Sequence, residues 1–177
     1  IITNNTVSEI IGPNDEVAGV ILKDGKRINC QAAIIAIGVV PNVELVRATA
    51  IKINRGIIVD EQMQTSVVDI YAAGDVAEAP EMLSGEHRVI PIWPGAFKQG
   101  SIAGSNMAGH PEKYPGGLAM NSLEFFGLAC ISVGLINPED EEYEVFGKYY
   151  PKESTYKKIV LKDDVIVGAI FVGAIEK

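Results

Sequence analysis

Thr65-Ser66-Val67-Val68-Asp69-Ile70-Tyr71-Ala72-Ala73-Gly74-Asp75 reads as a strand that runs into a glycine and an aspartate. In open α/β sheets, ligands bind at the carboxyl ends of parallel strands, so this pattern sets Asp75 at a ligand edge. An ionised Asp accepts hydrogen bonds from sugar-type hydroxyls, and Gly74 lets a ligand approach the backbone with no Cβ in the way. Taken alone, the pattern also reads as a turn closed by an Asp cap.

Working outward, residues 32–37 form a continuous apolar run closed by Gly38, which suits a parallel strand covered on both faces. Residues 56–60 and 69–73 are further strands of that sheet, and residues 43–50 a short helix. Upstream, residues 6–11, 17–23 and 26–30 predict a three-stranded β-meander, its last turn built on Asp24-Gly25 as a type I′ hairpin. Downstream, residues 78–91 read as a loop and residues 94–108 as a helix stopped by Gly109-His110-Pro111. Gly95, Gly100 and Gly104 each weaken that helix by roughly 1 kcal/mol relative to Ala, which predicts close packing against a sheet or ligand. After a linker at Tyr114-Pro115-Gly116-Gly117, strands at 121–126, 129–135, 143–149, 156–161 and 165–172 predict an antiparallel C-terminal domain. The fold class is therefore α/β, a parallel-sheet domain carrying a β-meander and followed by a mainly antiparallel α+β domain.

Charge and composition narrow the function. The 177 residues hold 23 acidic and 15 basic side chains, a net charge of −8. Nucleic-acid binding needs a basic stripe and is not expected. The longest apolar run, residues 165–175, falls short of the roughly 20 residues of a spanning helix and reads as a buried strand, so no membrane partner is expected. Cys30 and Cys130 lie far apart with no C-x-x-C, which predicts two small buried hydrophobes and no metal site. No leader pattern opens the chain, making cytoplasm the default, and both ends look like cuts in a longer polypeptide. His87 reads as a residue of a charged loop and His110 as a helix-end cation. No G-x-G-x-x-G, G-x-x-x-x-G-K, G-x-S-x-G or H-E-x-x-H occurs, so no catalytic side chain is nominated.

The run Ala36-Ile37-Gly38-Val39-Val40-Pro41-Asn42, followed by residues 65–75, resembles the paired motifs of the FAD-dependent pyridine nucleotide-disulfide oxidoreductase family. Ile37 stands where that family has Thr or Ser. Residues 90–100, with Trp93-Pro94-Gly95-Ala96, are similar to the family helix whose amino end faces the flavin. Residues 121–135 resemble the start of the C-terminal domain in the branch of nitrite reductase large subunits, rubredoxin reductases and NADH oxidases.

The resemblance implies a partial FAD/NAD(P)-binding fold: residues 1–36 the tail of the NAD(P)-binding domain, 37–111 the second half of the FAD-binding domain, and 112–177 an interface or dimerisation domain. It implies Asp75 for the ribityl chain of FAD, Gly38 and Gly74 for close backbone approach, Pro94, Gly95 and Ala96 for the C2 edge of the flavin, and Trp93 as a ring cover or packing residue. It further implies NAD(P)H as hydride donor in the parent protein, a small molecule or redox protein as electron acceptor, and self-association through the severed sheet or the small-residue helix. The alternative is a non-catalytic interface module, which has no use for the Asp75 edge.

Overall fold

The computed structural model describes residues 1–175; Glu176 and Lys177, the end of the expected C-terminal domain, lie outside the described residues. Two compact units emerge, Ile1–Val39 and the described residues from Val40 onward.

In the first unit, β1 (Val7–Ile11), β2 (Gly19–Leu22) and β3 (Arg27–Asn29) pair antiparallel in that order, the expected meander. Its last turn is not type I′. Gly25 N–H donates to Leu22 O at 2.9 Å and Leu22 N–H to Lys26 O at 2.8 Å, so the loop is three residues long. Gly25 alone in it has a positive φ, +85°. That is a type I turn ending in a glycine bulge, whereas type I′ requires positive φ at both central positions. Asp24 accepts the Lys26 N–H at 3.0 Å. This bond, helped by Asn5, holds its carboxyl below the usual range.

The apolar run 32–37 forms no strand, and Ile34 and Ile37 are 93% and 91% exposed. A parallel strand needs a neighbour to complete its ladder, and no described segment pairs with this one.

The second unit opens on a single 3₁₀ turn, Glu44–Val46, in place of the expected helix. β4 (Ile57–Ile58) pairs parallel with β5 (Ala77–Pro80), Ile57 opposite Ala77, and β6 (His87–Arg88) lies antiparallel beside β5. The stretch expected to be loop therefore contributes two strands. Residues 69–73 contribute only the bridge of Tyr71 with Gln64. Their backbone groups are used locally: Thr65 N–H donates to Ile70 O and Ala72 N–H to Met63 O. Helix α1 (Trp93–Met107) turns Gln99, Ile102 and Ala103 inward, onto a core of Ile57, Val59, Met63, Ala77 and Tyr114.

Around α1 the sheet packing expected of the glycines is missing at two of them, and the expected linker is tied down. A Cβ at Gly100 or Gly104 would meet nothing within 4 Å, so neither glycine packs against a described residue. They share an exposed face with Trp93, Phe97 and Met107. Nor is the segment from Tyr114 to Gly117 a loose linker. Tyr114 is buried, Gly117 N–H donates to Pro80 O, and Met82 N–H donates to Gly117 O, both at 2.8 Å.

The C-terminal part is one antiparallel sheet of β7 (Met120–Phe125), β8 (Leu128–Gly134), β9 (Glu144–Tyr150), β10 (Thr155–Lys162) and β11 (Val165–Val172), ordered β7-β8-β11-β10-β9. Two positive φ pairs sit here, Phe126-Gly127 and Asp163-Asp164, each a two-residue hairpin loop, and a third, Asn14-Asp15, lies in the turn between β1 and β2. Strand β11, expected to be buried, exposes Val165 and Ile166 at its start. Leu123, Phe125, Phe126 and Phe146 are also exposed. No helix among the described residues is long and apolar enough to cross a membrane.

Candidate functional site

Asp75 lies in the 3₁₀ turn Gly74–Val76, entered from extended Ala73 through Gly74 at φ +82°. L side chains avoid that conformation, so Gly74 is set by the backbone. A Cβ placed on it would stand 3.5 Å from the Ala96 Cβ, which puts the turn against the first turns of α1. The Asp75 side chain is exposed, and its carboxylate has no hydrogen bond or ion pair with any described residue. It is free to accept a ligand's hydroxyls.

Helix α1 begins after extended Ile92 with no side-chain cap. Ala96 N–H closes on Ile92 O at 3.0 Å, and Pro94 carries no N–H. The N–H groups of Trp93 and Gly95 are thus left without intrahelical acceptors at the positive end of the helix dipole. Trp93 is 83% exposed and is not among the buried core of the described residues. Of the residues named from sequence, Gly74, Asp75, Trp93, Pro94, Gly95 and Ala96 are brought into one neighbourhood. Gly38 belongs to the first unit, with φ +99° and open space where a Cβ would sit.

The sequence reading missed the side chain that ties this neighbourhood together. Gln99 Oε1 accepts the Gly74 N–H at 2.8 Å, and its Nε2 lies 3.4 Å from Tyr114 Oη. The residue is 4% exposed. Its signal was the i, i+3, i+4, i+7 spacing of Gln99, Ile102, Ala103 and Asn106, which places two amides on the apolar face of the helix. Asn106 is the second clamp. Its amide reaches Ile102 O, Gln62 O and Glu112 O, and its Oδ1 accepts the Glu112 N–H at 3.0 Å. The bond from Lys98, aided by Ser105, holds the Glu112 carboxyl below its ordinary value.

A separate cleft of about 930 Å³ is lined by Arg55, Glu78, His87, Arg88, Tyr143 and Lys162, among others. Asp75 does not line it. Glu78 is buried there and spends both carboxylate oxygens on Asn54 Nδ2 and Gly56 N–H, each at 2.8 Å. His87 Nε2 lies 3.0 Å from Val59 O. Cys30 and Cys130 are half-buried free thiols, less enclosed than expected. No group of three or more His, Cys, Asp or Glu side chains among the described residues is placed to hold a metal ion.

Residues 1–100 match the pyridine nucleotide-disulphide oxidoreductase family, and residues 120–177 match the rubredoxin NAD+ reductase C-terminal domain. The chain is 36% identical over 166 residues to nitrite reductase [NAD(P)H] of Bacillus subtilis, covering 93% of this chain and 20% of that protein. It is 40% identical to the CoA-dependent NAD(P)H sulfur oxidoreductase of Pyrococcus furiosus, covering 71% of this chain and 29% of that one. Among solved structures, the NAD-dependent persulfide reductase of A. fulgidus superposes with a TM-score of 0.83 at 27% identity, covering 97% of this chain and 35% of the other. The chain therefore spans between a fifth and about a third of the length of these relatives.

Proposed function

The chain belongs to the pyridine nucleotide-disulphide oxidoreductase family, and on that footing we propose that it is the C-terminal portion of an FAD-dependent NAD(P)H oxidoreductase. The reading assigns residues 1–36 to the end of the NAD(P)-binding domain, 37–111 to the second half of the FAD-binding domain, and 112–177 to an interface domain.

One observation carries the proposal: an exposed carboxylate, Asp75, with no partner, set by Gly74 against an uncapped helix end. The described residues fit one end of FAD. Asp75 accepts hydrogen bonds from the ribityl hydroxyls, and Gly74 keeps side-chain atoms out of the approach. The amino end of α1, through the N–H groups of Trp93 and Gly95, stabilises negative charge at the pyrimidine edge of the ring. Pro94 and Ala96 shape that turn, and the exposed indole of Trp93 covers the ring. Gly38 allows close backbone approach from the segment that returns the chain to the FAD domain. A bound FAD would supply the hydride and electron-transfer chemistry between NAD(P)H and an acceptor, and these residues would hold and orient it. The acceptor is a small molecule or a redox protein. The two relatives described above differ in it, one named for nitrite and the other for sulfur.

The exposed apolar side chains of the C-terminal sheet, Phe125, Phe126 and Phe146 among them, support a second role in self-association. The test of the flavin reading is FAD titration. The 177-residue chain lacks a pyrophosphate cradle and is expected to bind FAD weakly or not at all, while the polypeptide extending upstream with G-x-G-x-x-G retains it. Tight stoichiometric binding by this chain alone would overturn the division of the site.

A further inference from the structure

We propose that Gln99 is a positioning residue that locks the Asp75 turn to helix α1, so that the carboxylate and the helix end act as one rigid cradle. The inference rests on the flavin reading above and deepens it.

Gly74 and the start of α1 are far apart in sequence, and the turn between Ala73 and Ala77 is a single 3₁₀ loop closed by Ala77 N–H to Gly74 O. Such a turn is too short to hold its own orientation. The bond that fixes it from outside is Gly74 N–H to Gln99 Oε1, 2.8 Å long. Gly74 is the hinge of the turn, because its φ of +82° sets the direction in which Asp75 leaves the extended backbone at Ala73. Gln99 is in turn held by burial and by Tyr114, whose own N–H donates to Glu61 O at 2.7 Å. Gly74, Gln99 and Tyr114 thus form one run of contacts from the ligand edge into the core, and the Tyr114 N–H ties that run to the backbone of exposed Glu61. Helix α1 would pack through Ile102 and Ala103 without an amide at position 99. A glutamine there costs burial of a polar group, which its two hydrogen bonds offset. What those bonds add is the fixed distance between the carboxylate and the helix end, the quantity on which a ligand held at both points depends.

The experiment has two arms. In the flavoprotein carrying this chain, FAD dissociation constants are measured by flavin fluorescence for wild type, Gln99→Met, Gln99→Glu, Asp75→Ala and the Gln99→Met/Asp75→Ala pair. Gln99→Met is expected to weaken binding about tenfold, and Gln99→Glu to restore it, since the carboxylate still accepts from Gly74 N–H and accepts from the Tyr114 hydroxyl. On the Asp75→Ala background, Gln99→Met should add less than about twofold, because Gln99 acts through that carboxylate. Independent, multiplying losses would overturn the proposal and leave Gln99 as a packing residue. If Asp75→Ala alone has no effect, the flavin reading fails. The second arm then still decides the positioning role. Amide hydrogen exchange in the 177-residue chain should show protection lost at Gly74 in Gln99→Met and kept in Gln99→Glu. Unchanged protection at Gly74 in both variants overturns it.

Discussion

Glu78 Oε2 accepts the backbone N–H of Gly56 at 2.8 Å from a side chain only 4% exposed, across the parallel pair β4–β5. A two-residue parallel ladder is weak, and this carboxylate supplies the bond that aligns its start, with Asn54 Nδ2 on the other oxygen. Glu78→Ala strands the Gly56 N–H and the Asn54 amide, and is expected to cost roughly 1.5–3 kcal/mol. Glu78→Gln keeps one acceptor and should cost less. Urea midpoints of the two variants check the order.

Asp75→Ala in the flavoprotein removes a charge-assisted acceptor, worth about a ten- to hundred-fold loss of FAD affinity. Asp75→Asn keeps an amide oxygen and should lose less. Unchanged flavin retention in both variants would sink the assignment.

Gly100 offers a test of sign. With open space where its Cβ would sit, Gly100→Ala in the 177-residue chain should raise stability by about 0.5–1 kcal/mol through helix propensity alone. In the longer flavoprotein the same face is expected to be covered, and the added methyl should then destabilise. Thermal melts of both proteins read the difference, and the same sign in both would mean that nothing packs on that face.

The Lys98–Glu112 pair, 3.1 Å apart, links α1 to the segment that follows it. The folded carboxyl titrates below its ordinary 4.5. Its contribution is therefore complete above that value and is lost as pH falls through the lowered one. Both side chains are partly exposed, so the effect is small and screened by salt. Carboxyl titration by NMR should show Glu112 returning toward the ordinary value in Lys98→Met.

Self-association is expected at physiological salt, where a net charge of −8 is screened over about 8 Å. The contact surfaces are the exposed α1 face and the apolar residues of the C-terminal sheet. Light scattering that returns a strict monomer would remove the interface role.

The sequence carried the parts whose signal is local. The meander and all five C-terminal strands were legible because alternation and turn residues fix them within a few positions. The motif singled out Asp75 and Gly74 as candidates, and the structure sets both on one turn beside α1. Residues 32–37 were not, since an apolar run records a wish for two covered faces and not whether neighbours are present to cover them. Gly25 misled because Asp-Gly suits both a type I′ turn and a type I turn with a glycine bulge, and loop length decides between them. Gln99 was hidden because a polar residue next to Lys98 reads as solvent-facing until Ile102 and Ala103 fix which side of the helix is in.

The strand order β7-β8-β11-β10-β9 has a kinetic consequence. β7 with β8, β9 with β10, and β10 with β11 are sequence neighbours joined by short turns, so three of the four pairings form as local hairpins on the microsecond scale. The β8–β11 pairing, Val133 beside Ala169, alone joins distant parts of the chain. Its closure sets the pace at which the sheet becomes whole. The order of assembly is thus written into the sheet: two preformed ribbons meet along one seam, and a slip in that seam would leave each ribbon intact.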